Sequence, residues 1–196
     1  FSFPKFVEKV EQRKEIILRK RYWLYYSLTF LAGARRQIFI VFAGFLLVQK
    51  FGFPLDKMVL LIIINSAITI WAAPKLGILI GKIGERRALT FEYLGLIIIF
   101  LSYAAVDSLY VALVLYILDN ILFSMSLAIK TYFQKIADPA DIASTAGVSF
   151  TINHIASVLL PAVLGLVWIQ NHSTVFVIGA FIAGISLILS RVILNY

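Results

Sequence analysis

The stretch LYVALVLYILDNILFSMSLAI, residues Leu109–Ile129, decides the fold class of this chain. As a helix, at about 1.5 Å per residue, it is long enough to cross a hydrocarbon core of about 30 Å. Its one charged residue, Asp119, lies beside Asn120 near the middle of the segment. The stretch therefore predicts a membrane-spanning helix with a polar centre.

The rest of the sequence has the same apolar character. Hydrophobic residues make up 61% of the 196 residues and charged residues 14%, and the mean hydropathy is +0.94. A soluble domain of this length needs more charge to cover its surface, so the composition predicts an all-α, polytopic membrane protein. The net charge of +8 does not indicate nucleic acid, because the lysines and arginines lie between apolar runs. The sequence contains no cysteine, which excludes disulfides and thiolate–metal sites.

Apolar runs predict six membrane-spanning helices, at residues 23–48, 57–76, 88–106, 109–129, 142–170 and 173–194. Residues 1–21 are interpreted as a basic cytoplasmic linker or juxtamembrane helix, and residues 22–196 as a six-helix transmembrane domain. The chain starts at Phe1 rather than at methionine, and residues 1–21 are too charged for a signal peptide. We therefore expect a further portion of the protein upstream.

The basic residues predict the orientation of these helices. If the chain crosses the membrane six times, all lysines and arginines except Lys50 and Lys57 fall on one side. By the positive-inside rule, both termini are then cytoplasmic. The short connections favour a bacterial inner membrane.

Four of the six predicted spans carry polar side chains near their centres. A charge at the bilayer centre costs at least about 2.5–3.5 kcal/mol, so these side chains are expected to face one polar interior. The third and sixth spans have nothing comparable, since Glu92 and Arg191 are expected near helix ends, within reach of headgroups or water. The central polar residues are Arg35, Arg36, Gln37, Asn65, Ser66, Thr69, Asp119, Asn120, Asn153 and His154.

The paired arginines predict an anionic substrate. Neighbouring residues project about 100° apart on a helix, so Asp119 can neutralise one guanidinium fully but hardly both. The remaining guanidinium suits a carboxylate or phosphate. We predict that Arg35 or Arg36 is the main substrate contact. Gln37, Asn65, Asn120 and Asn153 complete the predicted substrate site.

Two interpretations of the titratable residues stay open. Asp119 could form a structural ion pair with one arginine while the asparagines join the helices, or it could carry a coupling proton. His154 could carry a proton as well, or could be a packing residue. The sequence contains no spacing of metal ligands, no nucleophile–base set and no cofactor motif. We therefore expect no enzymatic activity, no metal, no cofactor and no nucleic acid partner.

The stretch GILIGKIGERR, Gly77–Arg87, connects the second and third predicted spans. It fits the loose pattern G-x-L-x-D-[RK]-x-G-[RK]-[RK]-[RK], except that Gly81 replaces the usual aspartate and Glu85 a basic residue. In this it resembles the signature loop of the major facilitator superfamily, and the missing aspartate resembles the degraded copy in the C-terminal half of such transporters. The resemblance implies a cytoplasmic gate loop that contains Gly77, Gly81, Lys82, Gly84, Arg86 and Arg87.

The resemblance also implies an architecture and a mechanism. The chain would be the C-terminal six-helix half of a secondary transporter, with its first, second, fourth and fifth spans lining a central cavity. Alternating access between two halves would move the substrate. This transport could be coupled to the movement of protons. One half cannot alternate alone, so a missing N-terminal half or a second copy of the chain is expected as partner. A homodimeric half-size transporter and a non-transporting sensor or scaffold are the alternatives.

Overall fold

A computed structural model describes residues 18–193 and contains six long apolar helices. Each is long and apolar enough to span a bilayer, which confirms the predicted fold class and the six spans. Residues 1–17 of the predicted linker and residues 194–196 lie outside the described part of the chain. The helices are α1 (Lys20–Lys50), α2 (Leu55–Ile83), α3 (Glu85–Ala105), α4 (Leu109–Ile136), α5 (Pro139–Gln170) and α6 (His172–Ser190).

Two helices extend beyond their predicted ends. Helix α2 continues to Ile83, so most of the predicted signature loop is helical, and only Gly84 separates α2 from α3. Gly84 has a φ of 84°, a conformation that favours glycine and ends the helix. Helix α4 continues through a 3₁₀ turn, Ser124–Ser126, to Ile136. Both predictions ended where the apolar run ended, but a helix keeps its backbone hydrogen bonds beyond the hydrocarbon region until a residue breaks it.

Small residues allow close helix packing in the core. Helix α3 packs along α6, and α1 packs against α5 and α6. A Cβ atom added to Gly179 of α6 would lie 3.2 Å from the ring of Phe100 on α3. The rings of Tyr103 and Phe176 stack across the same pair of helices, with centroids 5.0 Å apart. Close contact between α3 and α6 therefore depends on glycine at position 179.

Helix α1 changes geometry near its middle. Regular α-helix runs from Trp23 to Gln37, and π-helical segments follow at Ile38–Ala43 and Leu46–Lys50. Wider turns of this kind are frequent at functional sites. The change begins directly after Arg35, Arg36 and Gln37, so the predicted site residues of α1 lie at the end of its regular α-helical part.

One end of the bundle, which we call the basic side, carries the start of α1 and the α2–α3 and α4–α5 connections. Ion pairs join the elements there. Arg19 Nε lies 2.5 Å from Asp141 Oδ2, and Tyr22 donates a hydrogen bond to the same oxygen. Lys135 Nζ lies 2.8 Å from Glu85 Oε1, so the glutamate that departs from the signature pattern connects α3 to the end of α4.

Candidate functional site

Arg36 lies at the junction of two cavities. The distal cavity, of about 490 Å³, lies between α1, α2 and α4 and extends away from the basic side to Met58. The basic-side cavity, of about 320 Å³, lies between α1, α4 and α5 and extends to Lys130. Arg36 lines both cavities. Arg36 is thus the residue that the two cavities share.

The contacts of Arg36 leave much of its hydrogen-bonding capacity unused. Its Nη1 donates to Asn120 Oδ1 at 2.9 Å, and the guanidinium lies over the rings of Phe39 and Phe123, 5.2 and 4.8 Å from their centroids. Among residues 18–193, no carboxylate forms an ion pair with Arg36 within 4.0 Å. A guanidinium carries five N–H donors in a fork. Arg36 can therefore donate to a further anionic group.

A network of amides orients Asn120 toward Arg36. The Nδ2 of Asn120 donates to Thr69 Oγ1 at 2.5 Å and to the carbonyl oxygen of Asn65 at 3.3 Å, which leaves its Oδ1 facing Arg36. Asn65 Nδ2 lies 3.5 Å from the carbonyl oxygen of Tyr116. These contacts join α2 to α4 at the depth of Arg36. Asn65 and Asn120 both line the distal cavity, as do Ser66 and Thr69.

Arg35 points to the other side of α1, and the structure separates it from the cavities that Arg36 lines. It is 1% exposed, and its Nη2 lies 3.4 Å from Glu92 Oε1 of α3. It also donates to Ser186 of α6, and its guanidinium lies 4.4 Å from the ring centroid of Tyr93. We call Arg35, Glu92, Tyr93 and Ser186 the closed cluster. In this conformation, Arg35 is an internally neutralised charge rather than a lining residue.

The expectation that Glu92 reaches headgroups or water is wrong. Glu92 is fully buried, and Ser186 of α6 is as well, so the third and sixth spans do carry polar groups in the interior. The expectation assumed a free face near the start of α3. Helices α1 and α6 cover that face, and Arg35 supplies the opposite charge that allows the carboxylate to be buried.

Asp119 is buried but does not form the expected ion pair. It is 1% exposed, and within residues 18–193 no arginine nitrogen lies within 4.0 Å of its carboxylate. Its Oδ2 has no hydrogen-bond partner in that part of the chain.

The remaining predicted residues lie at different places. Gln37 and Asn153 line the basic-side cavity. Asn153 packs so close to Gly33 that a Cβ atom there would lie 2.7 Å from its Oδ1. His154 is exposed, lines neither cavity, and has its Nδ1 3.0 Å from the carbonyl oxygen of Phe150. In the predicted gate loop, Gly77, Gly81 and Lys82 belong to the last turns of α2, and Arg86 and Arg87 to the first turn of α3.

Sequence reasoning missed several lining residues. Several of them share helix faces with predicted ones: Thr29 and Gly33 precede Arg36 at helical spacing, Tyr116 precedes Asn120, and Ser149 precedes Asn153. Spacing of three or four residues along one face would have found them. The additional polar lining residues are Tyr25, Thr29, Tyr116, Ser126, Lys130 and Ser149.

A bundle of six membrane-spanning helices with an arginine between two cavities resembles one half of a secondary transporter. The family model of the Major Facilitator Superfamily matches residues 3–161. The chain therefore belongs to the Major Facilitator Superfamily and is a multi-pass membrane protein of this transporter family, whose members are generally not enzymes. No curated protein matches the chain significantly.

Proposed function

We propose that this chain is the C-terminal half of a secondary active transporter that moves a small organic anion by alternating access. Arg36 binds the negative charge of the substrate. The observation that carries the proposal is the place of Arg36, which lines two cavities and has no acidic partner within 4.0 Å among residues 18–193.

The charge of Arg36 supports an anionic substrate. A cation at membrane depth is costly unless it has a counter-charge, and a guanidinium binds carboxylate or phosphate in a bidentate geometry. Asn120 holds one side of the guanidinium, and Gln37, Asn65 and Asn153 lie on the two cavity walls. Arg35, which the sequence offered as an equal candidate, is assigned a supporting role in the closed cluster.

The lining of the distal cavity supports an organic rather than an inorganic anion. Beside Arg36 and its amides, the cavity is lined by Phe39, Ile40, Met58, Ile62 and Ile70. Its volume of about 490 Å³ is in the range of small-molecule sites, which combine apolar walls with a few polar groups. A substrate with one acidic group and an apolar body matches this division.

The exposure of α2 and α5 supports a partner half. Within the 18-residue apolar segment of each helix, only 17% is buried in α2 and in α5, whereas 39–56% is buried in the other four helices. Both helices border the cavities, so a second half placed over them would enclose the site. We assign that place to an N-terminal six-helix half, and a second copy of the chain is the alternative occupant. By the positive-inside rule, we assign the basic side to the cytoplasmic side of a bacterial inner membrane.

Asp119 is the better candidate for proton coupling. It is buried and directly precedes Asn120, which accepts a hydrogen bond from Arg36, and its Oδ2 lacks a hydrogen-bond partner among the described residues. Protonation of Asp119 would remove a negative charge that competes with the substrate for Arg36. His154 has neither the burial nor the position for this role.

A non-transporting sensor or scaffold is the second candidate. The ion pair between Arg35 and Glu92 favours it, because a charge that is matched inside the protein needs no substrate. The two cavities at Arg36 favour transport.

Uptake into proteoliposomes tests the proposal. The full-length protein would be compared with Arg36→Gln, Arg36→Lys and the exposed-residue control Lys57→Gln, using labelled benzoate, phenylacetate and phosphate. We expect Arg36→Gln to remove saturable uptake, Arg36→Lys to retain part of it, and the control to match the unmodified protein. Unchanged saturable uptake and affinity in Arg36→Gln would contradict the proposal.

A further inference from the structure

Three arginines from two helices line one surface pocket on the basic side. Arg86 and Arg87 lie in the first turn of α3, and Arg191 directly follows α6. Together with Thr90 and Phe91 they line a pocket of about 300 Å³. The pocket shares no residue with the two cavities at Arg36, so it is separate from the proposed transport site.

These arginines have no counter-charge in the described part of the chain. None of the three forms an ion pair within 4.0 Å with a carboxylate of residues 18–193. The nearby carboxylate of Glu85 is held by Lys135 at 2.8 Å. Three guanidiniums around one pocket repel one another, and an anion with several oxygens, such as a phosphate, removes this repulsion.

The surroundings of the pocket are apolar toward the middle of the bundle. Phe91 is 60% exposed and lies one turn from Arg87, and Ile188 is 71% exposed and lies one turn from Arg191. Residues three or four apart share a helix face, so on each helix an exposed apolar side chain lies just below an arginine. This is the order of a lipid molecule at a membrane surface, with the headgroup at the arginines and acyl chains along the apolar side chains.

We propose that this pocket binds an anionic phospholipid. Its phosphate is held between Arg86, Arg87 and Arg191, and its acyl chains lie along Phe91 and Ile188. The lipid then connects the start of α3 to the end of α6. A soluble phosphate would satisfy the charges but not the exposed apolar residues, so the lipid is the better match. This proposal does not depend on the identity of the transported substrate.

Native mass spectrometry of the full-length protein, released from nanodiscs that contain phosphatidylglycerol and phosphatidylcholine, tests the site. The test variant replaces all three arginines (Arg86→Gln, Arg87→Gln, Arg191→Gln). The control removes three other exposed charges that do not line the pocket (Lys20→Gln, Lys75→Gln, Lys82→Gln). We expect retained phosphatidylglycerol on the unmodified protein, a loss of affinity of about tenfold or more in the test variant, and a change below about twofold in the control.

Three results would overturn the site. Equal losses in the two triple variants would mean general surface charge rather than a built pocket. Equal retention of phosphatidylglycerol and phosphatidylcholine by the unmodified protein would exclude selection for an anionic headgroup. Displacement of the bound lipid by millimolar inorganic phosphate would identify a soluble-anion site. If circular dichroism shows that the test variant does not fold, the single variant Arg191→Gln replaces it. We expect this variant to weaken the retention of phosphatidylglycerol about threefold. Unchanged retention would also refute the proposal.

Discussion

Arg35 and Arg36 are neighbours with the same side chain, yet they lie in opposite environments. Arg35 is 1% exposed and is neutralised by Glu92 within the closed cluster, whereas Arg36 lies between two cavities without an acidic partner in the described part of the chain. A rotation of about 100° per residue on α1 is enough to separate them. A charge at membrane depth can thus be matched inside the protein or left for a ligand, and the helix face decides which.

The closed cluster gives α1 a fixed rotation. Arg35 contacts α3 through Glu92 and α6 through Ser186, so these two helices hold the face of α1 that carries Arg35. If α1 turned about its axis, Arg36 would leave the cavities and the ion pair would break. We therefore infer that Glu92 positions Arg36 without touching the cavities.

Breaking the closed cluster is expected to have the largest effect on stability. Glu92→Ala leaves the Arg35 charge buried without a partner, which costs about 3–5 kcal/mol. Replacing both residues, Arg35→Met with Glu92→Met, removes the charges together and should restore most of this loss. Denaturation of the purified protein in detergent measures both. Equal destabilisation by the single and double variants would contradict the ion-pair account.

The free energy of unfolding can also be measured for a variant of Arg36, on the other face of α1. Arg36→Ala is expected to change the free energy of unfolding by much less than Glu92→Ala, because Arg36 makes one hydrogen bond and no ion pair within 4.0 Å among residues 18–193. If Arg36→Ala lowered the free energy of unfolding by about 3 kcal/mol or more, as the loss of one partner of a buried ion pair does, Arg36 would be structural as well.

The packing of α3 on α6 allows a matched glycine pair to be compared. Gly179→Ala places a Cβ atom 3.2 Å from the Phe100 ring, and overpacking of this kind costs about 1–3 kcal/mol. Gly184→Ala, also on α6, meets nothing within 4 Å and should be neutral or slightly stabilising. Thermal unfolding of the two variants provides the test. Equal melting temperatures would show that the contact with Phe100 relaxes freely.

A smaller effect is expected in the distal cavity. Ile62→Asn should weaken competition by organic acids such as phenylacetate about three- to tenfold, since apolar surface is lost from the wall, and should leave competition by inorganic phosphate unchanged. Uptake competition measures this. An equal loss for both anions would indicate a general distortion instead of a contact with an apolar body.

The smallest effect is expected at His154. His154→Gln should leave the pH profile of uptake unchanged, whereas Asp119→Asn should flatten it, because Asp119 alone of the two is buried and directly precedes the Asn120 that Arg36 contacts. If the pH profile of uptake were flattened in His154→Gln and unchanged in Asp119→Asn, His154 rather than Asp119 would be the proton-coupling residue.

The sequence predicted the features that depend on composition and depth. Six apolar runs require six crossings, and Arg36, Asn65 and Asn120 of the first, second and fourth spans do line one cavity, whereas Arg35 and Asp119 do not. It could not predict the partner of Arg35, because the depth of Glu92 along α3 does not reveal which helices cover it. The end of α2 at Ile83 was missed for a related reason, since hydropathy follows the membrane and not the backbone hydrogen bonds.

Water accessibility at position 36 tests the central claim most directly. Residues 1–196 contain no cysteine, so Arg36→Cys and Ser186→Cys each introduce a single thiol into this part of the protein, one between the two cavities and one in the closed cluster. Any cysteine elsewhere in the full-length protein is first replaced by serine. A charged, membrane-impermeant thiol reagent should label the first variant rapidly and the second hardly at all. Equal protection of both positions, or faster labelling at position 186, would mean that Arg36 does not face water and that the substrate site lies elsewhere.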